Sequence, residues 1–386
     1  MQQNFDWSVE LFYKAQERIL YLYSVWPHGV GWGRVLHRIR FWLTLCFWIL
    51  LFDLILSIYI VLNITDLNEI MKAFFLLATC IAYTVVHVKF NDVSFLQIIA
   101  NLQDAQFCSE SAEEQRIFVV ARELSRVVRN RYGVISVMSL VTVQITQYII
   151  DNTELPVSTY DPFDGAHGSL GYWVMYFYQC VAMSMACFFN ISFDSLCCSL
   201  FIFVRCQLDI LALRLQSIGH NCNGVEESVE EVEHQLKNCI RLHMKIVELA
   251  ADIEAVLYLP MSIQIMFSVL VLTSGFYAIS LLSDEKLIFL KFFIYQSCML
   301  TQVFVLCYFP GEVAQRSLKL SHDLYKSNWV NWQRSNRRLL LMLMQRLDIP
   351  IRIRTLDASL GFDLALFTSI VNCSYSYFAL LKRVNS

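Results

Sequence analysis

The stretch Asp151–Gly171, DNTELPVSTYDPFDGAHGSLG, contains no lysine or arginine. The stretch Gly311–Asp357, GEVAQRSLKLSHDLYKSNWVNWQRSNRRLLLMLMQRLDIPIRIRTLD, carries Arg316, Lys319, Lys326, Arg334, Arg337, Arg338, Arg346, Arg352 and Arg354. In a chain that is 56% hydrophobic, this asymmetry points to loops on opposite sides of a bilayer. Basic residues are retained in the cytoplasm, so the first stretch is expected outside and the second inside.

Composition supports a membrane protein. Mean hydropathy is +0.48, and 386 residues include only 16% charged but 14% aromatic side chains. That is too apolar for an ordinary soluble domain of this length. The first residues, MQQNFDWSVELF, lack the charged, apolar and small-residue blocks of a secretory signal, so the first span is expected to direct insertion.

A helix needs about 20 mostly apolar residues to cross the hydrocarbon core. Seven segments qualify: 41–62, 69–88, 132–150, 171–198, 256–282, 288–309 and 359–381. Leu339–Leu347 is apolar but short, with Pro350 close behind, and reads as a buried or interfacial helix. The charge rule then works loop by loop. Lys14, Arg18, Arg34, Arg38 and Arg40 precede the first span; Lys89, Arg116, Arg122, Arg126, Arg129 and Arg131 separate the second and third. Arg205, Arg214, Lys237, Arg241 and Lys245 separate the fourth and fifth, whereas 63–68 has no basic residue and 283–287 only Lys286. The N-terminus is therefore expected in the cytoplasm and the C-terminus outside. None of the thirteen cysteines falls in a predicted outside loop, so no disulfide is expected. The sequon Asn63-Ile64-Thr65 lies outside in this arrangement.

The cytoplasmic segments 205–255 and 311–357 have a pattern of their own. Val229, Val232, Leu236, Cys239, His243, Val247 and Ala250 recur three and four apart, which is helical periodicity with one strip facing a partner. Glu226, Glu227, Glu230, Glu231 and Glu233 take the wet side. No breaker intervenes before Pro260, so this helix is expected to run into the fifth span, and Val313, Leu320 and Leu324 continue the sixth inward. A solvated hairpin is one reading. A packed intracellular anchor bundle that holds subunits together is the preferred one.

Three stretches carry a family resemblance. Phe304-Val-Leu-Cys307-Tyr308-Phe309-Pro-Gly311-Glu312-Val313 is followed by Ser317, Leu320, Tyr325 and Trp329; Phe367 to Leu381 contains Tyr375-Ser376-Tyr377-Phe378 and Leu380. The third and weakest is Tyr160-Asp161-Pro162-Phe163-Asp164, with Tyr172 and Gln179 beyond it. Together they resemble the insect odorant receptor family over essentially the whole chain. The resemblance implies a single 1–386 all-α domain with seven transmembrane helices and inverted orientation. It implies a subunit of a ligand-gated, non-selective cation channel that assembles as a heterotetramer with a shared co-receptor, the last helix lining the pore. The fourth–fifth loop is short, and Arg383 stands where the co-receptor and the related gustatory receptors carry glutamine. Ser376-Tyr377 is only close to the gustatory Thr-Tyr. A tuning, odorant-binding subunit at the plasma membrane of a sensory-neuron dendrite is the reading adopted, with a gustatory-type channel or a metabotropic seven-helix receptor as alternatives.

A volatile ligand calls for an apolar cavity with one or two polar groups. The family places it in the outer half of the bundle, which selects Met71, Phe74 and Phe75 in the second span and Val141, Gln144 and Tyr148 in the third. Tyr176, Cys180 and Met183 follow in the fourth and Phe292 and Tyr295 in the sixth. Each could equally be ordinary packing, but Gln144 and Tyr148 are polar groups inside a bilayer, where they are expensive and tend to have a purpose. In the last helix Ser376, Leu380 and Arg383 share a face, and the resemblance aligns the gate with Leu380, a residue able to close a pore by dewetting. Asp53 and Asp194 read as packing residues. Enzyme chemistry lacks support: Gly29, Gly31 and Gly33 miss the dinucleotide spacing, and His234 and His243 miss metal-ligand spacing. No cofactor or metal is expected. The partners implied are the co-receptor, a small odorant and membrane lipid, and the missing basic surface argues against nucleic acid.

Overall fold

Long apolar runs with few glycines and prolines leave the backbone one economical solution in a bilayer, the helix, because it satisfies its own N–H and C=O groups. The computed structural model describes residues 9–26, 32–89, 94–109, 111–150, 155–163, 169–219, 228–281, 286–356 and 360–384. Asp164, Glu226, Glu227, Gly29, Gly31, Cys222 and the side chain of Met71 lie outside the described part.

The helices are α1 (Lys14–Leu22), α2 (Trp32–Leu43), α3 (Leu51–Leu62), α4 (Leu67–Lys89), α5 (Ser94–Leu102) and α6 (Ala112–Ile150). Then come α7 (Leu170–Ser217), α8 (Val229–Leu281), α9 (Lys286–Tyr325), α10 (Arg334–Leu347) and α11 (Leu364–Val384). Among the described residues the only β-pairing is an isolated antiparallel bridge between Arg354 and Gly361. Among the described residues five stretches are long and apolar enough to cross a membrane: Val35–Leu62, Leu170–Ser217, Val229–Ser280, Lys286–Tyr325 and Leu364–Arg383. Helix α4 adds a shorter apolar stretch, Ala73–Val88. The predicted third span, 132–150, is the far part of the 39-residue α6.

Helix α7 is the axis. Every residue from Ile191 to Val204 is buried, which fits a sequence apolar on all sides rather than on one stripe. Helices α6 and α9 pack along it and against each other, α1 lies against its middle between Phe189 and Ser199, and α8 lies between α4, α9 and α11. A 7-residue π-helix, Thr44–Leu50, joins α2 to α3. There the Tyr178 hydroxyl donates to the Phe47 carbonyl at 2.8 Å, so α7 meets an acceptor in this wider turn. Thr84 of α4 donates to Asp53 of α3 at 2.8 Å, tying those two helices together.

Helices α8 and α9 run through Pro260 and Pro310 without a break. At 53 residues α8 spans about 80 Å, far beyond the hydrocarbon core. Its excess carries the periodic strip: Val232, Leu236, Cys239, His243 and Ala250 are buried, and Val247 is half-buried with Ile246 beside it fully buried. These pack on α10 and α5. The described residues of 205–255 and 311–357 therefore form a packed bundle at the basic end rather than a solvated hairpin.

Charge knits this bundle. Arg205 pairs with Glu312 at 2.5 Å; Arg316 pairs with Asp209 and, at 2.7 Å, with Asp323; Lys326 reaches Asp323 at 2.9 Å. Burial alone would raise the Asp323 pKa, but hydrogen bonds and charges from Arg316 and Lys326 outweigh it and hold the carboxyl below its ordinary value. Arg214 grips Glu114 with two hydrogen bonds of 2.8 and 2.9 Å, joining α7 to α6.

His243 gives this bundle a pH signature. Burial, with Arg346 adding repulsion, pushes its pKa from 6.5 down to about 4. The folded form therefore favours neutral imidazole, so this contribution is complete above pH 6.5 and disappears as pH falls toward 4. The full shift amounts to up to about 3 kcal/mol. Thermal unfolding of the detergent-purified protein should weaken between pH 7 and 4.5, and His243→Gln should remove a measurable part of that slope. An identical slope in the variant would show that His243 titrates as it does in the unfolded chain.

Candidate functional site: an apolar cavity among four helices

Small and polar residues spaced along one face of each helix leave a gap where four helices meet. On α6 this face is Tyr132, Ser136, Ser139, Leu140 and Val143; on α7 it is Met183, Ala186, Cys187, Asn190 and Ile191. Leu76, Thr79 and Cys80 of α4 and Tyr295, Cys298, Met299 and Gln302 of α9 close it. The cavity holds about 100 Å³.

Most of its polar groups are already engaged. The Tyr295 hydroxyl and Thr79 Oγ1 are 2.9 Å apart, and Thr79 also donates to the Phe75 carbonyl. Two thiols converge on Ser136, Cys298 on its hydroxyl at 3.5 Å and Cys187 on its carbonyl at 3.7 Å. Below them Tyr132 and Gln302 donate to Asp194, each at 2.7 Å. Ser139 and Asn190 make no side-chain hydrogen bond with another described residue. Their polar atoms are the groups available to a guest. The two methionines, unbranched and polarizable, are the parts of the wall best able to repack around one.

Of the predicted ligand residues, Met183 and Tyr295 line this cavity. Phe75 and Phe292 stand directly behind, with Phe75 meeting Phe292 and Tyr295 edge-on at 5.5 and 4.9 Å. Apart from Val141, the others lie nearer the opposite, non-basic end. Gln144 donates to the Cys180 carbonyl at 3.0 Å and to Ser184 at 3.1 Å, and Tyr176 donates to the Gln144 carbonyl. Tyr148 meets Tyr176 edge-on at 6.3 Å. Phe74 is half-buried outside the cavity, and Met71 is on α4 with its side chain undescribed. Val141 is 40% exposed and turned away, because Ser136, Ser139, Leu140 and Val143 own the inward face of α6.

On average the cavity lining thus lies about five to eight residues deeper on each helix than the predicted set, roughly 8–12 Å at 1.5 Å per residue. Toward the non-basic end Gln144 is spent on the Cys180 carbonyl and Ser184, and Tyr176 on the Gln144 carbonyl. Tyr132, Ser136, Ser139, Cys187, Asn190, Cys298 and Gln302 were missed by the sequence reading. Their signal was available: polar or small residues at three- and four-residue spacing inside apolar spans.

The predicted pore face has a different setting. In the apolar stretch of α11 only 11% of residues are buried, and Ser376, Leu380 and Arg383 are all exposed, Leu380 at 58%. Contact with the rest of the chain runs through the other side of α11, where Thr273 of α8 donates to the Ser374 carbonyl at 3.4 Å and Ser374 to the Val269 carbonyl at 3.4 Å.

The chain is thus an all-helical bundle with apolar helices long enough to cross a membrane, a largely apolar cavity among four of them and one apolar helix little covered by its own chain. The profile described as "7tm Odorant receptor" matches residues 66–375. Odorant receptor 46a of Drosophila melanogaster is similar in both isoforms. Isoform A is 50% identical across 98% of this chain and 99% of its own, and isoform B is 34% identical with the same coverage. The chain therefore belongs to the seven-transmembrane odorant receptor family, a family of receptors and not of enzymes. Its fold matches the insect olfactory receptor OR5 of Machilis hrabei, solved alone and in complex with eugenol. The TM-scores are 0.82 and 0.83 at 18% and 19% identity, covering 96% of this chain and 97% of that one.

If the cavity is where ligand sits, Ala186→Leu should fill part of it and reduce odorant potency. Overpacking of this kind is worth about 1–3 kcal/mol, or about tenfold in affinity. Dose–response curves at matched surface expression would show it, with the outward-facing Val141→Leu unchanged. Equal curves for both variants would place the ligand elsewhere.

Proposed function

We propose that this chain is the odorant-binding subunit of a heteromeric, ligand-gated, non-selective cation channel. The observation that carries the reading is the largely apolar cavity among four helices, with two unspent polar groups, Ser139 and Asn190. Apolar walls make a volatile molecule easy to desolvate, and one or two hydrogen bonds suffice to orient it. An apolar engineered cavity of about 150 Å³ takes up benzene. A void of about 100 Å³ therefore suits a compact volatile, admitted as Met183 and Met299 repack.

The channel half of the proposal rests on α11. An apolar helix with so little packing in its own chain is well placed to face neighbouring subunits, and Ser376, Leu380 and Arg383 on its exposed side suit a pore wall. The packed bundle of residues 205–255 and 311–357 suits an anchor for that assembly. The charge asymmetry supports a cytoplasmic N-terminus, an extracellular C-terminus and the seven spans bounded above. The short fourth–fifth connection supports a tuning subunit partnered by the co-receptor, at the plasma membrane of a sensory-neuron dendrite.

Current recording tests this directly. Cells expressing this chain with the co-receptor should give odorant-evoked cation current, and cells expressing it alone should give little. An N-terminal tag detected on unpermeabilised cells, or robust current from the chain alone, would overturn the arrangement. Within the assembled channel, Leu380→Asn should ease wetting of a closed hydrophobic constriction and raise resting current, with odorant selectivity unchanged. Wild-type resting current and permeability at normal surface expression would place Leu380 away from the pore.

A further inference from the structure

Asp194 sits at the centre of α7 with no exposed surface. Three side chains from three other helices donate to it: Tyr132 of α6 and Gln302 of α9 to Oδ2, each at 2.7 Å, and Gln264 of α8 to Oδ1 at 2.9 Å. No cation pairs with this carboxylate among the described residues. Burying a carboxylate on neutral donors alone is expensive, and losing one donor leaves an oxygen short of a partner. A merely space-filling position would be served better by a leucine.

The geometry divides the donors into two groups. Tyr132 and Gln302 form the floor of the cavity, whereas Gln264 does not line it. Gln264 instead belongs to the long helix that holds α11, through the Ser374–Val269 and Thr273–Ser374 contacts about one and a half to two and a half turns further along. Helix α8 also meets α9 very closely at Gly275, where a β-carbon would collide with Gln296, whose amide donates to the Leu272 carbonyl at 3.0 Å. A displacement of the cavity floor therefore has a short route, through the Gln264–Asp194 hydrogen bond and along α8, to the helix bearing the proposed pore.

We propose that Asp194 is a positioning residue for gating, a shared acceptor that ties the floor of the ligand cavity to α8 and through it to α11. The inference rests on the odorant-gated channel reading. A guest pressing on Tyr132 or Gln302 shifts their hydrogen bonds to Asp194, and Gln264 follows because it shares the same carboxylate. Ligand contact and channel opening then separate genetically. Tyr132→Phe touches both the cavity and the carboxylate; Gln264→Met touches only the carboxylate and leaves the cavity wall intact.

The test is odorant dose–response and resting current for Tyr132→Phe, Gln264→Met and the double variant, each assembled with the co-receptor at matched surface density. Gln264→Met is expected to change the ratio of resting to maximal current about five- to tenfold, within the usual range of coupling between sites. The double variant should fall well short of the product of the two single effects, because both act through one carboxylate. Gln302→Met supplies a second member of the pair should either variant fail to reach the surface. Wild-type gating in Gln264→Met, or single effects that simply multiply, would overturn the proposal while the wild-type response in the same experiment upholds the channel reading. A silent wild-type complex would overturn that reading, and this inference with it.

Discussion

Helix α7 has no lipid-facing or water-facing side between Ile191 and Val204, and this burial determines where its neighbours must lie. A segment apolar on every side has to be surrounded, so α6, α9 and α1 each commit a face to it. The same requirement explains the polar residues that α7 does contain. Ser192 and Ser199 return their hydroxyls to their own helix, donating to the carbonyls of Phe188 and Ser195. Asp194 cannot do so, and recruits Tyr132, Gln264 and Gln302 from three other helices. In a medium without water, an unpartnered carboxyl oxygen would be costly. The hub therefore fixes the relative rotation of four helices, which also sets the walls of the cavity above it.

The two ends of the bundle are held by different forces. At the basic end, ion pairs such as Arg205–Glu312 and Arg214–Glu114 sit beside apolar seams such as Leu236, Leu343 and Leu347. The combination is that of a soluble helical bundle built onto membrane helices. At the opposite end, Gln179 holds the connection before α7 in place, accepting from the Val157 amide and donating to Thr159. Between these ends the cavity is bounded by groups that mostly satisfy one another. A few polar atoms left unspent are what a ligand can use.

Much of this was legible in the residues. The periodic strip from Val232 to Ala250 is read at three- and four-residue spacing because helix geometry stacks such positions, and the same residues are buried against α5 and α10. The motifs around Cys307–Val313 and Tyr375–Phe378 led to the family, which the likeness to odorant receptor 46a shows. The cavity was read less well. The resemblance sets a depth near the outer ends of these same four helices, which selects Gln144, Tyr148 and Tyr176. In the folded protein Gln144 donates to the Cys180 carbonyl and Ser184, and Tyr176 to the Gln144 carbonyl, while the cavity opens deeper on the same helices.

The difference is one of range. Helix length, the sidedness of charge and the presence of a periodic face are properties of consecutive residues, so the sequence by itself determined an all-helical membrane receptor with a charged, packed extension. Depth and rotation are not local. Val141 and Val143 are chemically identical neighbours on α6, yet one is exposed and the other lines the cavity. Only the tertiary structure decided between them, because the inward face is chosen by what the helix must satisfy. On that inward face Tyr132 donates to a carboxylate 62 residues away, a contact that no pattern within a single span encodes.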